Sequence, residues 1–226
     1  MLFRSDLVFV VDSLHVDALM RRHDFEAAFN KIERLMAEHR DENKDTSLRV
    51  RLLLMKAALF DRVGRPQRGF TTAMRAAGIA WRARLLPLLW QAIGAVANIL
   101  VALAEFDAAA RLLAAVLPRQ LECDAPSAAA QLYAHLADAH MGMAGAAAPQ
   151  SPRRTECLAR AGDALAQALD HFARVEDAER QCEVLAKQAT VMRALGDVER
   201  ADDCAARYLE LRRASVGGGA LRSSMA

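Results

Sequence analysis

At 226 residues, 54% hydrophobic but only 5% aromatic, and with a formal net charge of +2, the chain draws its apolar content largely from Ala and Leu. Those residues, with abundant Arg, Glu, Gln and Met, favour helices, and the scarcity of alternating β-branched runs and of Asn-Gly or Asp-Gly turns excludes a β-rich fold. So small a charge implies no partner by itself, and four cysteines without a C-x-x-C pair exclude a disulfide framework, fitting reduced thiols in the nucleus or cytoplasm.

Met1 is followed by "LFRSDLVFVVDSL", where Arg4, Asp6 and Asp12 interrupt the apolar run that a signal peptide needs. Its "LVFVV" reads as a surface meant to be covered. A first repeat, beginning near residue 9, turns at "HDFEAAFNKI" from His23 and has Ala28 in its second helix. Val16 stands where the later repeats have a small residue, as suits a terminal unit. A second repeat begins near 50, with Leu53, Ala57 and Phe60 in a large-small-large pattern, then "GRPQRGFTTA" from Gly64 with Gly69 five positions on.

The third repeat begins near 90. Leu85 to Ala104 contains no charge, which raises the question of a membrane span. Pro87, Gln91 and Asn98 speak against a bilayer, and Ile93, Ala97 and Leu100 repeat the packing pattern, so the segment is expected to be the core helix of a middle repeat. "AEFDAAARLL" from Ala104, with Ala109, supplies its turn and second helix.

A fourth repeat near 130 places Tyr133, Ala137 and His140 in the same pattern. "MAGAAAPQSPRR" then reads as an insertion loop over about residues 144–154, removable from Ala144 to Gln150 without loss of the fold. Ser151 and Pro152 suit the N-cap and first position of the next helix, which carries Ala161, Leu165, Ala168 and Phe172 on one face. The fifth repeat, near 182, has Leu185, Ala189 and Met192, then "GDVERADDCA" from Gly196 with Ala201. Residues 1–214 would form the repeats, and the Gly/Ser-rich residues 215–226 a disordered tail.

Small residues at a fixed place mark where paired helices cross closely. Turn strings with a small residue five positions on are the tetratricopeptide form, and the step of about forty residues calls for longer helices than usual. The expectation is an all-α, tetratricopeptide-like, right-handed solenoid of about five helix-turn-helix repeats. HEAT-type repeats share the period and are the alternative.

The residues offer little chemistry. His135 and His140 are five apart, not the i, i+4 spacing of a helical zinc pair, and there is no Gly-rich phosphate loop or G-x-S-x-G elbow. No catalytic residue, cofactor, metal or small-molecule substrate is expected. Charge is more informative. From Ser47 to Ala104 nine bases face one acid, Asp61, whereas from Asp163 to Glu210 eleven acids face six bases. Salt bridges and solvated faces account for such charges in one reading. In the other, Arg62, Arg65, Arg68, Arg75, Arg82 and Arg84 form a docking surface for acidic protein segments, since Arg makes bidentate contacts to carboxylates. Nucleic acid is not expected, because no aromatics interleave the bases.

"LFDRVGRPQRGFTTAMRAAGIAWRARLLPLLWQAIGAVANIL", "EFDAAARLLAAVLPRQLECD" and "AAQLYAHLADAHMGMAG" resemble the C-terminal tetratricopeptide region of the anaphase-promoting complex subunit 5 family in its fungal form. The resemblance runs from about Leu48 to Ala214 and is most specific between Gly64 and Gly145. It implies a non-catalytic scaffold subunit of a multisubunit E3 ubiquitin ligase that drives mitotic exit, with the ligase's other subunits as partners. In that family the subunit belongs to the platform joining the cullin/RING module to the tetratricopeptide arc that holds the coactivators. Family members are longer and have a separate helical N-terminal domain, so the resemblance implies a fragment or an incomplete gene model, and contacts made through that domain are not carried over. A free-standing adaptor for short acidic peptides is the alternative.

Overall fold

The computed structural model describes the backbone of residues 2–38 and 46–223, and side chains within 10–38 and 46–214. The described residues form ten α-helices and no strand: α1 (Leu2–Arg21), α2 (Phe25–Glu38), α3 (Thr46–Arg62), α4 (Pro66–Arg82), α5 (Leu86–Ala102), α6 (Phe106–Leu121), α7 (Pro126–Ala146), α8 (Pro152–Arg174), α9 (Ala178–Leu195) and α10 (Val198–Ser223). The odd-numbered helices α3, α5, α7 and α9 open four residues before the expected repeat starts at 50, 90, 130 and 182.

The turns have a common backbone. His23, Gly64, Ala104 and Gly196, the first residues of the four turn strings, all have positive φ, between 60° and 83°. At Gly64 the amide of Arg65 donates to the Phe60 carbonyl at 2.8 Å and that of Gly64 to Asp61 at 3.0 Å, the paired bonds of a Schellman turn. The same pairing recurs after α1, through Asp24 to Leu19, and after α9, through Asp197 to Met192. Arg84 and Glu176, both at φ 54°, make equivalent turns after α4 and α8 that no glycine announces.

Residues 1–103 and 104–226 form two compact units. In the first, Val16 and Met20 of α1 pack with Ala28 and Ile32 of α2 and Leu59 of α3. Lys31 pairs with Asp12 at 2.5 Å and Lys56 with Glu33, tying α2 to α1 and α3. Gly69 of α4 is a close-approach point: a Cβ there would meet the Ala57 carbonyl at 3.1 Å and Ile99 Cδ1 at 3.3 Å. Leu53, Ala57 and Phe60 are buried beside it. At the start of the chain Val10, Val11 and Leu14 are exposed; Leu7, Val8 and Phe9 lie outside the described side chains.

The uncharged segment that raised the membrane question is α5. Ala97 is fully buried, as are Leu88, Leu89, Trp90, Ala92, Val96 and Ile99 to within a few per cent, whereas Ile93 and Leu100 are half-buried and Gln91 and Asn98 exposed. Among the described residues no helix is long and apolar enough to cross a membrane.

In the second unit α7 and α8 pack along their length, and Ala137, Ala161, Leu165, Ala168, Phe172 and Leu185 form its apolar centre. Ala109, Ala189 and Ala201 are buried, Tyr133 and Met192 half-buried. Lys187 of α9 donates to both carboxylate oxygens of Asp138 of α7, at 2.6 and 2.8 Å. Gln120, fully buried, donates to the Ala125 carbonyl at 3.0 Å and braces the α6–α7 turn.

Two expectations are corrected. The insertion expected as a loop over about 144–154 is a loop only over 147–151. Helix α7 continues to Ala146 and α8 begins at Pro152, so the connection is 147–151 and the extra length is taken up by helices of 21 and 23 residues. An Ala-rich stretch costs little to make helical, and Ser151 Oγ accepts from the Arg154 amide at 3.2 Å with Pro152 in the first turn. Ala144 is 1% exposed, and Arg154 Nη1 donates to its carbonyl at 3.0 Å. Secondly, α10 runs through Ser223, past the boundary at Ala214 where a tail was expected; residues 224–226 lie outside the described residues.

Candidate protein-interaction face

Helix α4 is small on one side and long on the other. Gly69, Ala73, Ala76 and Ala80 are its buried positions, three or four residues apart, so they share a face that lets α4 lie close to its neighbours. The opposite side is left for Arg68, Arg75 and Arg82, which follow at seven-residue intervals, two helical turns each. Arg62 ends α3, Arg65 precedes α4, and Arg84 holds the left-handed position of the α4–α5 turn. All six are exposed.

The six arginines make no ion pair among the described residues. Of the other bases in this basic stretch, Lys56 is taken by Glu33, while Arg49 and Arg51 have partners within the chain. The single acid, Asp61, accepts from Asn98 Nδ2 at 3.2 Å, and burial holds its pKa above the ordinary carboxylate value despite Asn98 and neighbouring Arg62. The acidic part of the chain is different. Arg174–Asp170 at 2.9 Å, Arg180–Glu183 at 2.8 Å, Arg200–Asp197 at 3.4 Å and Arg193–Asp202 at 3.8 Å pair its charges locally. Salt bridging thus accounts for much of the charge in the fifth repeat and for none of these six arginines.

Apolar surface accompanies the charge, and sequence reasoning missed it. Phe25 and Phe29 of α2 with Phe60 and Val63 border a groove of about 470 Å³ that Arg65 and Arg68 also line. Phe29 and Phe60 meet edge to face at 5.6 Å, with Lys56 Nζ over both rings. On α4 itself Met74 is 49% and Trp81 60% exposed. The available signal was the register: the same spacing that buries Ala73, Ala76 and Ala80 puts Met74 and Trp81 outside.

Three histidines lie at buried or half-buried positions of the second unit. His135, His140 and His171 each have an Nδ1 without a hydrogen-bond partner, and burial lowers the pKa of all three. Among the described residues no group of three or more His, Cys, Asp or Glu side chains is placed to hold a metal ion.

No protein-family model matches the chain, and no curated protein does. Solved structures do match. BtubC (BKLC) from P. vanneervenii has a TM-score of 0.69 at 20% identity, over 91% of this chain and 80% of that one. Rap protein complexed with Competence and Sporulation Factor has a TM-score of 0.72 at 13% identity, over 90% of this chain and 53% of that one, so this chain spans about half of Rap. A Podosopora anserina putative kinesin light chain with nearly identical TPR-like repeats has a TM-score of 0.63 at 14% identity, over 91% and 94%. Identities this low show the fold alone. The chain is an all-α helical-repeat protein with a tetratricopeptide-like solenoid fold.

Proposed function

We propose that the chain is a non-catalytic docking scaffold that holds an acidic segment of a partner protein on the arginine face of α3 and α4. The observation that supports it is the set of six exposed arginines that make no ion pair among the described residues, two of which, Arg65 and Arg68, line an apolar groove. Carboxylates would complete the guanidinium forks, and burying the groove would add apolar area. The structurally similar Rap protein is described as complexed with Competence and Sporulation Factor, which fits a binding role for this fold. Charge reversal at Arg65→Glu with Arg68→Glu tests the reading. Both side chains are exposed, so helicity by circular dichroism should be unchanged while partner capture by the tagged chain falls. Capture that is unchanged at low and high salt would overturn it.

The host assembly in this reading is the anaphase-promoting complex, with the chain as one of its scaffold subunits. The support is the extended resemblance between Gly64 and Gly145, which includes the whole of α4 and α5. Affinity purification of the tagged chain followed by mass spectrometry distinguishes this assembly from a free-standing adaptor. Recovery of cullin and RING subunits supports the ligase; recovery of one acidic client without them supports the adaptor and ends the ligase assignment.

A further inference from the structure

We infer that the outward face of α4 seats an amphipathic helix of the partner, crossing at Gly78 with its acidic flank against Arg68, Arg75 and Arg82. This rests on the docking reading above and specifies the form and position of the occupant.

Gly78 has no internal explanation. Glycine in a helix interior is disfavoured relative to alanine because it loses more backbone freedom on folding. Gly69, on the same helix, is required by the Ala57 carbonyl 3.1 Å from where its Cβ would be, whereas a Cβ at Gly78 would meet nothing within 4 Å. Four residues before Gly78 stands Met74 and three after it Trp81, 49% and 60% exposed. These three positions fall on one outward ridge. Bare backbone between two large apolar side chains is a notch of the kind that lets a second helix approach closely. Thr71, one turn earlier on that ridge, donates its hydroxyl to the Gln67 carbonyl at 3.1 Å and so needs no outside acceptor.

Charge selects the occupant. Helix α4 contains Arg68, Arg75 and Arg82 and no acid, so a docked helix with Glu at matching two-turn intervals meets all three. An extended peptide fits less well, because its backbone N–H and C=O groups would lie unpaired against Met74 and Trp81, while a helix satisfies its own. A membrane surface is the competing occupant for a basic face with an exposed Trp. The two occupants respond oppositely to a side chain at 78, since filling the notch obstructs a helix but adds apolar area for lipid.

The test uses the full chain and labelled synthetic peptides of about 21 residues, long enough to hold a helix when bound. One has a Leu/Ala seam flanked by Glu at heptad spacing; the other is the same peptide with two central residues replaced by proline. Vesicles containing phosphatidylserine form a third arm. The helical peptide should bind the wild-type chain at least about tenfold more tightly than the proline peptide. Gly78→Leu and Trp81→Ala should each weaken it by about tenfold or more. Gly78→Ala should raise the melting midpoint by about 2–4 °C and still weaken the peptide, which separates docking from folding. Equal affinity for the two peptides, or an unchanged affinity in Gly78→Leu, overturns the helix seat. Retained dependence on Arg65 and Arg68 would then leave the docking reading standing. Vesicle binding that rises in Gly78→Leu while the peptide fails to bind also overturns the helix seat, in favour of lipid.

Discussion

The ring of Phe106 occupies the space that a side chain at Gly142 would need: a Cβ on that glycine would lie 2.3 Å from Phe106 Cδ1 and Cε1. Helix α7 tolerates a glycine in its interior because α6 enters at that point. Gly142→Ala must displace an aromatic ring, and should destabilise by about 1–3 kcal/mol in urea titrations. Gly162 is the control. There a new Cβ would meet Met192 Cε at 3.0 Å, the far end of a flexible side chain. Gly162→Ala should therefore be neutral or stabilising by up to about 1 kcal/mol. Equal losses in the two variants would contradict the assigned α6–α7 contact.

Deleting Ala144 to Gln150 should damage the second unit. The deletion removes the buried Ala144, its carbonyl bond from Arg154 Nη1, and the end of α7. Loss of a cooperative thermal transition, or a midpoint lowered by several degrees, is expected. A transition identical to that of the intact chain would mean that the Ala-rich stretch is a free loop after all.

Acid should weaken the fold through its histidines. Burial lowers the pKa of His135, His140 and His171 from the ordinary 6.5, and for His135 the charges of Lys187 and Arg180 reinforce burial while Asp138 opposes it. His171 also stacks on Tyr133 at 5.8 Å. A histidine with a depressed folded pKa contributes stability that is present above the unfolded value and is lost as pH falls through the folded one. Urea midpoints should therefore hold steady above pH 7 and decline as the buffer is taken below about 6.5. Replacing His135 with Gln should reduce the decline; a decline that begins only in the carboxylate range would assign it to other groups.

Ala97→Leu tests packing in the first unit. Ala97 is fully buried in α5, and leucine would add three carbons to a buried position. A loss of about 1–3 kcal/mol is expected, read as a lower denaturant midpoint. Asn98→Leu, next along the helix at an exposed position, should lose much less, giving up a hydrogen bond to the Asp61 carboxylate.

The all-α class, the paired helices and most turn positions were legible in the sequence because the physics behind them is local. His23, Gly64, Ala104 and Gly196 head turn strings and adopt the left-handed backbone; Ser151 and Pro152 are a helix start in residue type as in geometry. Arg84 and Glu176 take the same backbone without advertising it, since the packed helices on either side impose what their own side chains do not prefer. The tertiary structure alone decided that α7 and α8 lengthen into 144–146 and 152–154, that Phe106 needs Gly142, and that six exposed arginines make no ion pair among the described residues while Met74 and Trp81 stand exposed on the same helix as three of them. Those outcomes depend on what residues distant along the chain place opposite each side chain. Turn chemistry and helical period act over four or five neighbours, but exposure and charge pairing are settled only when whole helices meet.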